Sequence, residues 1–273
     1  MIITVHCITS ILTQNEPLLA FTDTTIQFAN NEKHEVMGSY CTVYLLEKSR
    51  VVVQSKEERN YHFFYQILTQ SKDTLNHLGL INDPNYYRYL QNGQHVVDGM
   101  NDEEHFNETV QALQLIGTNE NDITSLIEVI SSILHLGNIN ISKGTNDEND
   151  GHNDENEDAS CILDLEGNVP KEKSPLYYVS SLLAVTGESI VTSLCTRLVV
   201  TPTESYNVPT KKQEALYRLE ALSKDLYSRT FNWLVDCLNL HLQSSSPNEC
   251  ETISILDIFG KLRKRKYCII LLQ

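Results

Sequence analysis

The stretch Tyr44-Leu45-Leu46-Glu47-Lys48-Ser49-Arg50-Val51, followed by Glu58-Arg59-Asn60-Tyr61-His62-Phe63-Phe64-Tyr65-Gln66, joins two kinds of pattern. An extended run from Val36 to Leu46 ends in it. A short helix from Asn60 to Thr69 begins in it, with Tyr61, Phe64 and Tyr65 at helical spacing. Upstream, Thr24 to Phe28 alternates and starts β-branched, and Asn30-Asn31-Glu32-Lys33 supplies a turn. Two extended runs around such a turn predict an N-terminal β-hairpin. The expected class is α/β, mostly helical, with that hairpin at one end and a buried strand, Thr252 to Leu256, at the other.

The segments between read as helices. Asp83-Pro84 and Asn92-Gly93 mark turns. Asn101 or Asp102 caps a helix whose Phe106, Val110 and Leu113 form one stripe, with Gly117 ending it. The next begins near Asp122, turns Ile123, Leu126, Ile127, Ile130 and Leu134 inward, and stops at Gly137. Tyr177 to Val185 is a further helix, and Leu194 to Tyr206 has an extended, loop-like composition. Lys211 to Leu242 is the longest helical pattern. Its stripes, Ala215-Leu219-Leu222-Leu226-Trp233-Cys237 and Tyr227-Phe231-Leu234-Leu238-Leu242, predict a helix buried between neighbours.

Composition narrows the function classes. An apolar content of 41% is enough for a core. A formal charge of −15 argues against nucleic acid or anionic membrane as a partner held by bulk electrostatics. Part of that charge is local, in the polar tract from Lys143 to Ala159, which is expected to be a solvated, mobile insertion. It lacks the spacing of a calcium loop. The seven cysteines are widely spaced with no C-x-x-C pair, so neither a disulfide framework nor a zinc site is indicated. Met1 to Thr13 has no Lys or Arg before its apolar part, so no secretory signal is expected. Nowhere do eighteen apolar residues run together, so no membrane span is expected.

The most chemically suggestive element is the strand that ends in Asp257-Ile258-Phe259-Gly260. Asp-x-x-Gly at a strand end puts a carboxylate where phosphates and Mg²⁺ sit in P-loop folds, and the Gly lets backbone approach a γ-phosphate. Alone the motif is weak, and the plain reading is a strand followed by a turn. Its context is specific. The 44–66 stretch closely resembles the myosin head. So do Ser132-Ile133-Leu134-His135-Leu136-Gly137-Asn138, the helix segment 226–235 and Leu256-Asp257-Ile258-Phe259-Gly260, in the family's order over roughly Asn15 to Gly260.

The resemblance implies an α/β motor of the P-loop type with a mixed central sheet, and an actin-activated ATPase using ATP and Mg²⁺. Residues 1–260 would be a partial motor domain, mainly one jaw of the actin cleft, and 261–273 a divergent basic and apolar tail. Asp257 would act behind the Mg²⁺ ligands without binding the metal directly, with Ile258, Phe259 and Gly260 completing the start of switch II. Arg197, Leu198, Val199, Val200, Thr201, Pro202 and Tyr206 lie where the family carries an actin-contacting loop. The implied partner is the actin filament, and the implied location cytoplasmic and cytoskeletal. The alternative is a non-catalytic piece that binds actin or another myosin chain weakly.

Within these 273 residues no G-x-x-x-x-G-K-[ST] occurs. Thr186-Gly187-Glu188-Ser189 resembles the opening of that loop, but no second Gly, Lys or Thr follows, and it comes after an apolar helix. The chain passes from Asn15–Phe21 straight to Thr22-Asp23, without the Asn- and Ser-rich switch I loop. After Gly260 it reads Lys261-Leu262, where the family has Phe and Glu. One test concerns the acidic tract, whose carboxylates repel one another and whose apolar content cannot offset ordering entropy. Amides from Asn146 to Asp158 are expected to exchange with solvent hydrogen without protection, and strong protection there would contradict the reading.

Overall fold

The computed structural model describes residues 20–29, 35–143, 160–162, 165–166, 169–170, 172–242, 250–257 and 268–272. The predicted hairpin is present as β1 (Ala20–Ala29) and β2 (Val36–Leu46), antiparallel, with Thr24 opposite Cys41. The turn cluster between them lies outside the described residues, as do 144–159 of the acidic tract and the basic run 263–266. Lys143 itself closes a short strand, β3 (Ile141–Lys143), which pairs with β4 (Ser160–Ile162). A further two-residue pair, β5 (Leu165–Glu166) and β6 (Val169–Pro170), follows.

Seven helices are found among the described residues: α1 (His62–Leu68), α2 (Lys72–Leu78), α3 (Asp102–Leu115), α4 (Glu120–Asn138), α5 (Pro175–Leu182), α6 (Gly187–Cys195) and α7 (Lys212–Leu242). Their ends follow from local chemistry. Asn101 caps α3, its Oδ1 accepting from the Glu103 N–H at 3.1 Å. Gly117, at φ 82, supplies the left-handed residue that closes it. Helix α4 starts before Asp122 because Asn119 is the cap and accepts from the Asp122 N–H at 2.9 Å. It also runs through Gly137, which is not a terminator. A Cβ at that position would lie 2.8 Å from the Tyr89 ring, so the glycine there permits close packing.

Helix α5 is shifted from its expected bounds. Ser174 caps it, and Ala184 turns left-handed at φ 52, so Val185 bonds back to the Ser180 carbonyl at 3.1 Å outside the helix. The predicted extended segment from Leu194 starts inside α6, which ends at Cys195. The extended part is β7 (Thr196–Val200) paired with β8 (Ser205–Pro209).

The larger sheet runs β10-β9-β1-β2, with β9 (Cys250–Asp257) between β1 and β10 (Cys268–Leu272). The resemblance implies a mixed sheet, but every pairing among the described residues is antiparallel. The 258–267 connection is shorter than the roughly dozen residues a parallel crossover needs. Strand β9 is interior by hydrogen bonding, yet Thr252, Ile253, Ser254 and Ile255 are only half-buried. The expected buried strand is thus paired on both edges but incompletely covered on its faces. Strand β2 abuts α7, where Asn239 serves as a substitute strand. The Cys41 N–H donates to Asn239 Oδ1 at 2.7 Å, and Asn239 Nδ2 donates to the Cys41 carbonyl at 2.8 Å.

Two apolar clusters make the core. In one, α1 aromatics meet α3, α4 and the C-terminal half of α7, with Tyr61 stacked on Tyr227 at 4.3 Å and Phe63 on Phe106 at 5.9 Å. In the other, Leu176, Val179, Ile190 and Leu194 pack on Ala215 and Leu219. Of the two stripes on α7, the one through Tyr227, Phe231, Leu234 and Leu238 is buried; the other is buried at Ala215 and Leu219, half-buried at Leu222, Leu226 and Cys237, and exposed at Trp233. Both stripes of α7 are therefore covered in part, and the helix is not enclosed around Trp233.

Two buried histidines make this core pH-sensitive. His62 sits beside Arg59, its Nδ1 3.3 Å from Arg59 Nη1; burial, and then the guanidinium, push its pKa down to about 4. Burial likewise pushes His135 down to about 4, while its Nε2–H donates to the Leu78 carbonyl at 2.8 Å. An unfolded histidine titrates near about 6.5. Between the two values the unfolded chain binds more protons, so stability is intact above about pH 6.5 and falls as pH drops toward about 4. Urea unfolding at about pH 5 is expected to show a loss on the order of 2 kcal/mol per histidine relative to neutral pH. His135→Gln is expected to remove about half of that pH dependence.

Candidate functional site

The segment from Arg197 to Tyr206 falls in the β7–β8 hairpin. Arg197 lies opposite Val208, Val199 opposite Tyr206 and Val200 opposite Ser205. Its turn is closed by Thr201, whose N–H donates to the Glu204 carbonyl at 2.8 Å and whose Oγ1 accepts from the Glu204 N–H at 3.1 Å. Pro202 sits in that turn, where its missing N–H leaves no ladder bond unmade. Leu198 and Val200 share one face and are 64% and 72% exposed; Arg197 and Tyr206, the latter 47% exposed, stand on the other face, which is also open to solvent. A short strand pair offering large apolar side chains and a cation to solvent is the pattern of a contact surface.

The base of the hairpin is clamped. The Thr210 N–H donates to the Cys195 carbonyl at 2.8 Å, and its Oγ1 donates to the Leu194 carbonyl at 3.2 Å. The Ser160 N–H donates to the Thr210 carbonyl at 2.8 Å, which ties β4 to the same point. From α7, Arg218 Nη1 donates to the Ser193 carbonyl at 3.3 Å and to the Thr196 carbonyl, while Nη2 donates to Glu214 at 3.0 Å. Arg218 was not legible as a functional residue. The only sequence sign of it is its place four residues after Glu214, a common helix ion pair.

Asp257 is the last residue of β9, with its backbone opposite Thr22 of β1 and Cys268 of β10. Ile258, Phe259 and Gly260 lie outside the described residues. Thr186-Gly187-Glu188-Ser189, the partial likeness to a phosphate loop, is the cap and first turn of α6. Thr186 Oγ1 accepts from the Ser189 N–H at 3.3 Å, and α5 precedes it. Among the described residues no group of three or more His, Cys, Asp or Glu converges on a metal position. With neither a phosphate loop nor its lysine in these residues, those present do not fit Mg-ATP.

Residues 24–262 match the family described as myosin head (motor domain). The chain belongs to that family. It is 34% identical to unconventional myosin-Va of Homo sapiens over 236 residues, covering 86% of this chain and 12% of that protein. Against unconventional myosin-Ic of Mus musculus the identity is 36% over 231 residues, covering 82% of this chain and 20% of the relative. Myosin-8 of Arabidopsis thaliana is 31% identical over 239 residues, with 86% of this chain and 14% of the relative covered. This myosin-head segment therefore spans a fifth or less of the length of these relatives. Among its described residues no single helix is long and apolar enough to cross a membrane.

The clamp can be tested directly. A hydrogen bond from a charged donor contributes about 1.5–3 kcal/mol when buried and less when, as here, the donor is partly exposed. Arg218→Met is expected to speed amide exchange in residues 196–209 by about tenfold, leaving α1 and α4 unchanged. Uniform acceleration across the chain would show that Arg218 supports the whole fold.

Proposed function

We propose that this chain is a piece of an actin-based, Mg-ATP-driven motor head of the P-loop type, and that the piece by itself touches actin weakly without turning over ATP. The observation that carries the reading is the β7–β8 hairpin, held out from a clamped base with Leu198 and Val200 exposed on one face and Arg197 and Tyr206 on the other. In the proposed assignment Arg197, Leu198, Val199, Val200, Thr201, Pro202 and Tyr206 face actin, and Asp257 with Ile258, Phe259 and Gly260 marks the nucleotide side. The relatives are named as myosins, which supports a cytoskeletal location in the cytoplasm. One hairpin falls short of the roughly 1,200–2,000 Å² that stable interfaces bury, so affinity for filaments is low. Phosphoryl transfer needs positioned donors around the phosphates, and here the lysine, the hydroxyls, the switch I loop and the switch II Glu are not among the 273 residues.

Co-sedimentation of the purified chain with actin filaments is expected to show weak, salt-sensitive binding that Arg197→Ala reduces further. Calorimetry with Mg-ATP is expected to show no saturable heat. Tight, micromolar binding to filaments would overturn the first half, and phosphate release abolished by Asp257→Ala would overturn the second.

A further inference from the structure

Away from both candidate stretches lies an open groove of about 570 Å³, where the end of α2, the segment reaching Tyr86, α4 and the start of α5 meet. That volume falls in the range of small-molecule sites, about 300–1,000 Å³. Its aromatic wall is Tyr178, whose ring stacks on His135 with centroids 4.8 Å apart and planes 17° from parallel. The same ring lies against Gly79, where a Cβ would fall 2.3 Å from it. His135 is buried, and its Nε2–H is committed to the Leu78 carbonyl, so it backs the wall as a fixed flat ring. These contacts hold Tyr178 in place where it lines the groove.

The rest of the lining departs from an ordinary surface in two ways. Ile81 and Tyr86 are 49% and 47% exposed although they line a concavity, which leaves apolar area wet. Charge is the second. In a chain of formal charge −15 the groove is lined, among the described residues, by one cation, Lys173, and by no Asp or Glu. Lys173 is exposed, with no carboxylate partner among the described residues, and its backbone at φ 65 takes a conformation that non-glycine residues rarely adopt. Such outliers concentrate where a ligand or a switch is held.

We propose that this groove binds a small, flat aromatic carboxylate. The ring lies against Tyr178 and Tyr86, the carboxylate meets the Lys173 ammonium, and the Asn76 amide donates to the same carboxylate. The aromatic part replaces water on Ile81 and Tyr86, and the charge supplies selectivity for an acid over its neutral counterpart. The inference stands apart from the motor reading, because it uses none of the hairpin or strand-end residues.

The probes are indole-3-acetate and its uncharged analogue indole-3-acetamide, titrated into the full chain with saturation-transfer NMR and calorimetry as readouts. The acid is expected to bind saturably and about tenfold more tightly than the amide, with the difference shrinking as salt is raised. Lys173→Gly removes the charge and also suits the left-handed backbone, so it is expected to fold. It should erase the preference for the acid while leaving amide binding unchanged. Tyr86→Ser, at an exposed position, is expected to weaken both probes. The proposal is overturned if the acid does not bind saturably, if Lys173→Gly retains the acid preference, or if Tyr86→Ser leaves both affinities unchanged.

Discussion

Asn60 is wholly buried, and three segments of the fold are tied through its side chain. Its Nδ2 donates to the Val51 carbonyl at 3.1 Å and to the Tyr89 carbonyl at 2.9 Å, while Oδ1 accepts from the Tyr61 N–H at 2.7 Å. Only an amide can do this. A carboxylate would face two carbonyl oxygens with no proton to share and would bring an unpaired charge into the core, at a cost of several kcal/mol. Around it Arg50, equally buried, donates to the Arg59 carbonyl at 3.0 Å and pairs with Glu47 and Glu58 at 2.8 Å each. The guanidinium is tolerated there because its fork meets two carboxylates and a carbonyl at once. Tyr61 then donates its hydroxyl to the Glu47 carbonyl at 3.0 Å and lays its ring on Tyr227. The exit of β2, the start of α1 and the middle of α7 are thereby fixed relative to one another.

What could be read from the sequence follows the range of the interactions involved. The hairpin, the cap of α3 at Asn101 and the length of α7 depend on residues within a few positions of each other, and all three were legible. Gly137 was misread because its reason lies in Tyr89, far away in sequence; a glycine that ends a helix and one that admits a ring look the same in one dimension. Helix α6 went unrecognised as a helix because it is only nine residues long and its last residues, Leu194 and Cys195, run into β-branched strand. The apolar run 252–256 signals a strand but not how well its faces are covered, since that depends on what packs across the sheet. The extended character of the candidate hairpin was legible from its composition, and its expected contact role from family position alone. Its clamp was not, because Arg218 reaches carbonyl groups that carry no sequence signature.

Helix α7 gives these separate facts a mechanical sense. It has 31 residues, about 46 Å of rod at 1.5 Å per residue. Near its start Arg218 grips the base of the β7–β8 hairpin; near its end Asn239 grips the edge of β2. About 31 Å of helix axis separates the two grips. From β2 the sheet continues through β1 to β9, with Thr25 Oγ1 and Ser254 Oγ 2.7 Å apart across the last step. A hydrogen-bonded helix packed along one side against two apolar clusters resists both stretch and bend, so displacement at one grip is delivered to the other unless a hydrogen bond breaks. Under the proposed assignment, the hairpin offered to actin and the strand that ends at Asp257 need no side-chain contact with each other. Their positions are tied through the backbone of α7 and the amide of Asn239, and the stiffness of that path is set by the burial of Tyr227, Phe231, Leu234 and Leu238.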